Sequence, residues 1–123
     1  MGKNKKTKLK KLGILINKER NEKNLSLRDF AKMVGLSHVA ISHIEKGKVE
    51  AKKDTLLNIA RVLEYDVDTM LAKASRLDDD IEDLIFEKSN QVPQFLRTAK
   101  NLSKEQWKQI TEQVKKMNKN NDE

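Results

Sequence analysis

Apolar residues recur at three- and four-residue spacing along most of this chain, which predicts helices. Leu9, Leu12, Leu15 and Ile16 open a first stripe that runs to about Glu22 and ends at Asn24. Leu27, Phe30, Ala31 and Val34 fall at i, i+3, i+4 and i+7, predicting a second helix over 27–34. A third spans about 38–46, with Ile41 and Ile44 inward and His38, Val39, Ser42 and His43 left outside. A polar loop from Lys48 to Lys53 leads to a fourth helix at about 54–63, with Leu56, Ile59, Ala60 and Leu63 on its inner face. Val67, Met70 and Leu71 belong to a short fifth helix at about 67–73.

The boundaries carry their own chemistry. Ser26 reads as an N-cap with Asp29 three residues on, and Leu25 and Phe30 take the hydrophobic-staple positions. Gly35-Leu36-Ser37 is a tight turn. Gly35 can adopt the positive φ that ends a helix, and Ser37 can cap the next one. Ala31 is small where two helices must cross closely. Two short helices around such a turn make a helix-turn-helix.

Beyond Ala74 the pattern changes. Asp78-Asp79-Asp80 starts an acidic helix with Ile81, Leu84 and Ile85 on one side. Ser89-Asn90-Gln91 interrupts it, and Pro93 fits the first turn of another helix that carries Phe95, Leu96 and Ala99. Ser103 and Gln106 form a capping box for a last helix with Trp107, Ile110 and Val114 as its stripe, continuing to Met117. The organisation expected is therefore a basic disordered arm at 1–8, a helix-turn-helix domain at 9–74, a helical segment at 75–117 and a loose end at 118–123. The fold class is all-α: five helices, then a small helical C-terminal segment.

Charge sharpens this division. Residues 1–75 hold 17 Lys and Arg against 9 Asp and Glu, net +8; residues 76–123 hold 9 against 10, net −1. The cationic excess sits with the helix-turn-helix, as binding to a polyanion requires. The chain has no Cys, so disulfides and thiolate metal sites are excluded. No run of about 18 apolar residues predicts a membrane span, and the basic N-terminus lacks a signal-peptide core. A cytoplasmic protein is the default expectation.

The ordered set Leu25-Ser26, Phe30-Ala31, Gly35-Leu36-Ser37, Ile41-Ser42, Ile44-Glu45, Gly47-Lys48, Leu56-Leu57, Ile59-Ala60, Leu63 and Val67 resembles the phage-repressor-like helix-turn-helix proteins known as the XRE family. The likeness runs from about Leu12 to Leu71. It implies a five-helix lambda-repressor-like domain whose third helix reads DNA. By position, His38, Val39, Ser42 and His43 match the family's base-facing sites. The resemblance also implies that Arg20 meets Glu45 and fixes the pose of the reading helix. Leu27 departs from the family, many of whose members carry a phosphate-contacting Gln there, so that contact is not carried over.

The residues themselves fill in the rest. A histidine can donate to guanine N7 or O6, a valine can pack on a thymine methyl, and a serine accepts several partners. Ser37, at a helix N-terminus, can receive a phosphate oxygen. Arg28, Lys46, Lys48, Lys52 and Lys53 are further phosphate candidates, with Lys3, Lys5, Lys6 and Lys8 as an arm along the backbone. His38 and His43 are five residues apart and project about 140° apart on a helix, which excludes a shared metal. No catalytic set or Gly-rich phosphate loop stands out, so no enzyme and no cofactor are expected.

The expected partner is double-stranded DNA, bound as a repressor dimer on a short palindromic operator in the manner of a prophage or mobile-element regulator. Phe95, Leu96, Trp107, Ile110 and Val114 supply the dimer contact, or a docking site for a second protein such as an antirepressor. Two other readings share the domain. One is an antitoxin whose C-terminal helices wrap a toxin. The other is an interaction adaptor that no longer binds DNA, which the basic excess disfavours.

Overall fold

A computed structural model describes residues 2–121, with side chains from Lys5 onward. Among the described residues the chain forms eight helices and no strand. They divide into two units, the first ending at Ile81 and the second beginning at Glu82.

The first unit is built from α1 (Gly2–Glu22), α2 (Leu27–Val34), α3 (His38–Glu45), α4 (Lys53–Leu63) and α5 (Val67–Lys73). α3 packs against both α1 and α2, α2 also meets α4, and α4 meets α5. The core between them holds Phe30, Ile16, Ile41, Leu56, Ile59, Leu63, Met70 and Leu71, all with almost no exposed surface. Leu27 packs against this core from the first turn of α2. Ala51 is also buried there, although it lies in the polar loop before α4.

Each of these five helices is closed by a residue in the left-handed region: Asn24 (φ 56°), Gly35 (φ 90°), Gly47 (φ 71°), Glu64 (φ 55°) and Ser75 (φ 57°). The reversal sends the next amides back to carbonyls that would otherwise lack partners. Leu36 N–H, for example, donates to Ala31 O at 2.9 Å, and Arg76 N–H to Leu71 O at 2.8 Å. At the starts, the Ser26 hydroxyl accepts from Asp29 N–H (3.0 Å) and the Ser37 hydroxyl from Ala40 N–H (3.1 Å). Asp66 caps α5, accepting from the Thr69 backbone amide at 2.9 Å and its hydroxyl at 2.7 Å. Those two bonds hold the Asp66 carboxyl below the usual carboxylate range, the hydroxyl contributing most.

α1 corrects one expectation. It starts at Gly2, so residues 2–8 extend the helix and are not a disordered arm. Lysine is a good helix former, and adding turns to an existing helix costs no new nucleation. Of the loose end expected at 118–123, residues 118–121 continue the last helix, which runs to Asn121, and the remainder lies outside the described residues.

The second unit holds most of α6 (Asp79–Glu87), together with α7 (Val92–Ala99) and α8 (Lys104–Asn121). Pro93 stands in the first turn of α7. Ser103 and Gln106 bond reciprocally, Gln106 N–H to the Ser103 hydroxyl and Ser103 N–H to Gln106 Oε1 (3.1 and 2.9 Å). Phe95 and Trp107 meet edge to face, ring centroids 6.3 Å apart. Ala99 is the one buried residue among those described in this unit, while Phe86 is 85% exposed.

Candidate nucleic-acid interface

The α2–turn–α3 unit positions the candidate reading surface. Ile41 and Ile44 anchor α3 in the core, which turns His38, Val39 and His43 to solvent and leaves Ser42 half-exposed. Val39 is 51% exposed, an aliphatic surface of the kind that can pack on a thymine methyl. Ser37 lies exposed at the N-terminus of this helix, and Arg28 is exposed on α2.

The far end of α3 is held by charge. Arg20 donates from Nε to Glu45 Oε2 at 2.7 Å and from Nη2 to Oε1 at 3.0 Å. Its Nη1 donates to Leu25 O at 2.8 Å, so one guanidinium ties α1, the loop before α2 and α3 together. The two side chains are only 11% and 7% exposed. Asn17 completes the set, donating to Glu45 Oε1 at 2.8 Å and accepting from Asn21 at 3.0 Å. No buried side-chain polar atom among the described residues is left without a partner.

Two glycines allow this approach. A Cβ on Gly13 would meet the Glu45 and Ile44 carbonyl groups, with Ile44 O only 2.7 Å away. A Cβ on Gly47 would lie 2.8 Å from the Lys10 backbone. Sequence reasoning passed over Asn17 and Gly13, because their roles exist only where α1 crosses α3.

The candidate phosphate contacts separate into groups. Lys46, Lys48 and Lys52 are exposed at the end of α3 and in the loop that follows. Lys53 is half-buried and pairs with Asp79 at 3.2 Å, which competes with a phosphate. Of the expected arm, Lys5 pairs with Glu50 at 3.0 Å, while Lys6 and Lys8 are exposed along α1; the Lys3 side chain lies outside the described residues. Glu50 also receives Arg76 at 3.2 Å. In the second unit Phe95, Leu96, Trp107 and Val114 are exposed and Ile110 half-buried. No His, Asp and Glu group among the described residues is arranged to hold a metal, and no helix is long and apolar enough to cross a membrane.

Residues 16–70 match the family model HTH_3, helix-turn-helix. Over 61 residues the chain is 38% identical to the ImmF control region 10 kDa protein of Bacillus phage phi105, covering 50% of this chain and 68% of that protein. The chain belongs to the HTH_3 helix-turn-helix family.

As an XRE-type HTH_3 protein it is a DNA-binding transcriptional regulator, of a family that is not enzymatic. An HTH_3 family transcriptional regulator from Vibrio cholerae superposes with a TM-score of 0.50 at 25% identity, over 55% of this chain. The chain spans 38% of that regulator's length. The clp gene regulator ClgR from Corynebacterium glutamicum shares the fold at a TM-score of 0.50 and 20% identity, covering 75% of this chain and 93% of that one.

Proposed function

We propose that this HTH_3 protein is a repressor that binds a short palindromic operator as a homodimer. The observation that carries the reading is the outward row His38, Val39, Ser42 and His43 on a helix clamped at its far end, within a strongly cationic unit. His38 and His43 offer donors to purine edges, Val39 an apolar contact to thymine, and Ser42 a permissive hydroxyl. Ser37, Arg28, Lys46, Lys48 and Lys52 set the register on the phosphates. The phage relative belongs, by its name, to a control region, which supports a regulatory role.

Dimerisation is assigned to the second unit. A single module of this size buries only about 600–1,000 Å² on DNA, so two are needed for tight selection. Phe95, Leu96, Trp107 and Val114 are exposed and Ile110 half-exposed on a unit with little core of its own, which supports their use as a contact surface. The alternative occupant of that surface is a second protein. Sedimentation with and without operator DNA separates the two: a dimer in the absence of any other protein supports the first.

A further inference from the structure

We propose that one face of α1, carrying Lys6 and Lys10, is a rigid phosphate-binding surface that extends the DNA contact beyond the recognition helix. The inference rests on the DNA-binding reading and adds a specific second element to it.

Residues 3–11 hold six lysines and no acid, and they are helical. Lys6, Lys10, Gly13, Asn17 and Arg20 are spaced by four, three, four and three residues, so they share one face of α1. The last three of them seat the C-terminal end of α3. Lys10 lies beside Gly47, between Lys46 and Lys48 in the chain that follows α3. Lys6 stands one turn further out, about 6 Å along the same face. Lys8 and Lys11 point elsewhere: with Leu12, Leu15 and Lys73 they line a shallow cavity of about 180 Å³ between α1 and α5.

The local field is cationic because the nearby acids are already engaged. Glu45 is bound by Arg20 and Asn17, and Glu50 by Lys5 and Arg76. Lys6, Lys10, Lys46 and Lys48 are exposed, with no ion-pair partner among the described residues. A helix lying in the major groove has phosphate rows on both flanks, and this cluster sits at one end of such a helix. A polyphosphate backbone is the partner that fits four exposed, unpaired lysines on α1 and around Gly47. The helix makes the surface rigid, so binding does not have to order a flexible arm.

The test compares salt dependence on a random-sequence duplex for the full chain and four variants. Lys6→Ala/Lys10→Ala should give a log K against log salt slope shallower by about 0.9 for each phosphate that is no longer neutralised. Lys11→Ala/Lys73→Ala removes the same charge from the cavity between α1 and α5 and should leave the slope unchanged. Thr7→Pro keeps every charge but breaks the helix upstream of residue 7; it should make the slope shallower by about 0.9, the share of Lys6. Lys6→Ala alone, at an exposed position, repeats the test without touching the Lys10–Gly47 packing. Equal effects of the two double variants overturn the proposal in favour of a diffuse field. No effect of Thr7→Pro overturns it in favour of a flexible arm. A flat salt response of the unaltered protein is a different failure, that of the DNA-binding reading itself.

Discussion

Arg20 grips both carboxylate oxygens of Glu45, at 2.7 and 3.0 Å, and spends its remaining nitrogen on the Leu25 carbonyl. The pair is nearly closed to solvent, so its two members behave very differently if separated. Removing one partner leaves the other charge buried and unpaired, at a cost of about 3–5 kcal/mol. Arg20→Ala is expected to reduce the unfolding free energy measured in urea by that amount. Arg20→Lys should not restore it, because an ammonium cannot reproduce the planar fork. Full stability in Arg20→Lys would show that only charge matters at this point.

Gly13→Ala tests the seat of α3 on α1. Helix propensity favours Ala over Gly by about 1 kcal/mol. The added Cβ, however, meets backbone carbonyls of Ile44 and Glu45, which cannot swing aside as a flexible side chain would. Overpacking of this kind costs about 1–3 kcal/mol, so the net effect should be destabilising. The variant should also lose operator affinity, since α3 can only relieve the contact by moving. A stabilised protein with unchanged affinity would mean that the two helices are not held this closely.

Acid should act through Asp66. Its folded-state pKa is depressed by the Thr69 hydroxyl and amide. The stabilisation is therefore fully present above the unfolded carboxylate value and fades as pH falls through the folded one. Thermal unfolding of the unaltered protein and of Asp66→Ala should differ at neutral pH and converge in strong acid. A constant difference across that range would assign the loss to something other than the carboxylate cap.

Base readers and backbone holders should respond differently. His43→Ala or His38→Ala should cost about 1–3 kcal/mol on the operator and little on random DNA. Lys48→Ala should weaken both about equally. Competition binding with the two duplexes checks this, and equal losses for the histidine variants would remove them from the base-reading set.

The helices of the first unit were legible because their signals are local. Ile41 and Ile44 mark the buried side of α3, and the four outward side chains follow as its complement. Ser26, Ser37 and Gly35 act within a few residues of themselves, so their caps could be read directly. Gly13 and Asn17 were not legible, since their partners are about thirty residues away on α3. Ala51 reads as one small residue in a polar loop, and Lys53 as one more phosphate candidate, until the packed core and Asp79 fix their surroundings. The lysines of residues 3–8 suggest disorder by composition, yet the α1 helix that follows them is already nucleated and extends through them. The pairing of Arg20 with Glu45 came from the family resemblance, not from spacing.

The most direct measurement is selection of duplexes from a random library by the full-length protein. Enrichment is expected of an inverted repeat whose half-site centres lie about one helical turn, ~34 Å, or a multiple apart. Binding to the enriched duplex should be steeply weakened by salt. Enrichment of no sequence at any salt concentration, or of a single site without two-fold symmetry, would contradict a dimeric, sequence-reading repressor.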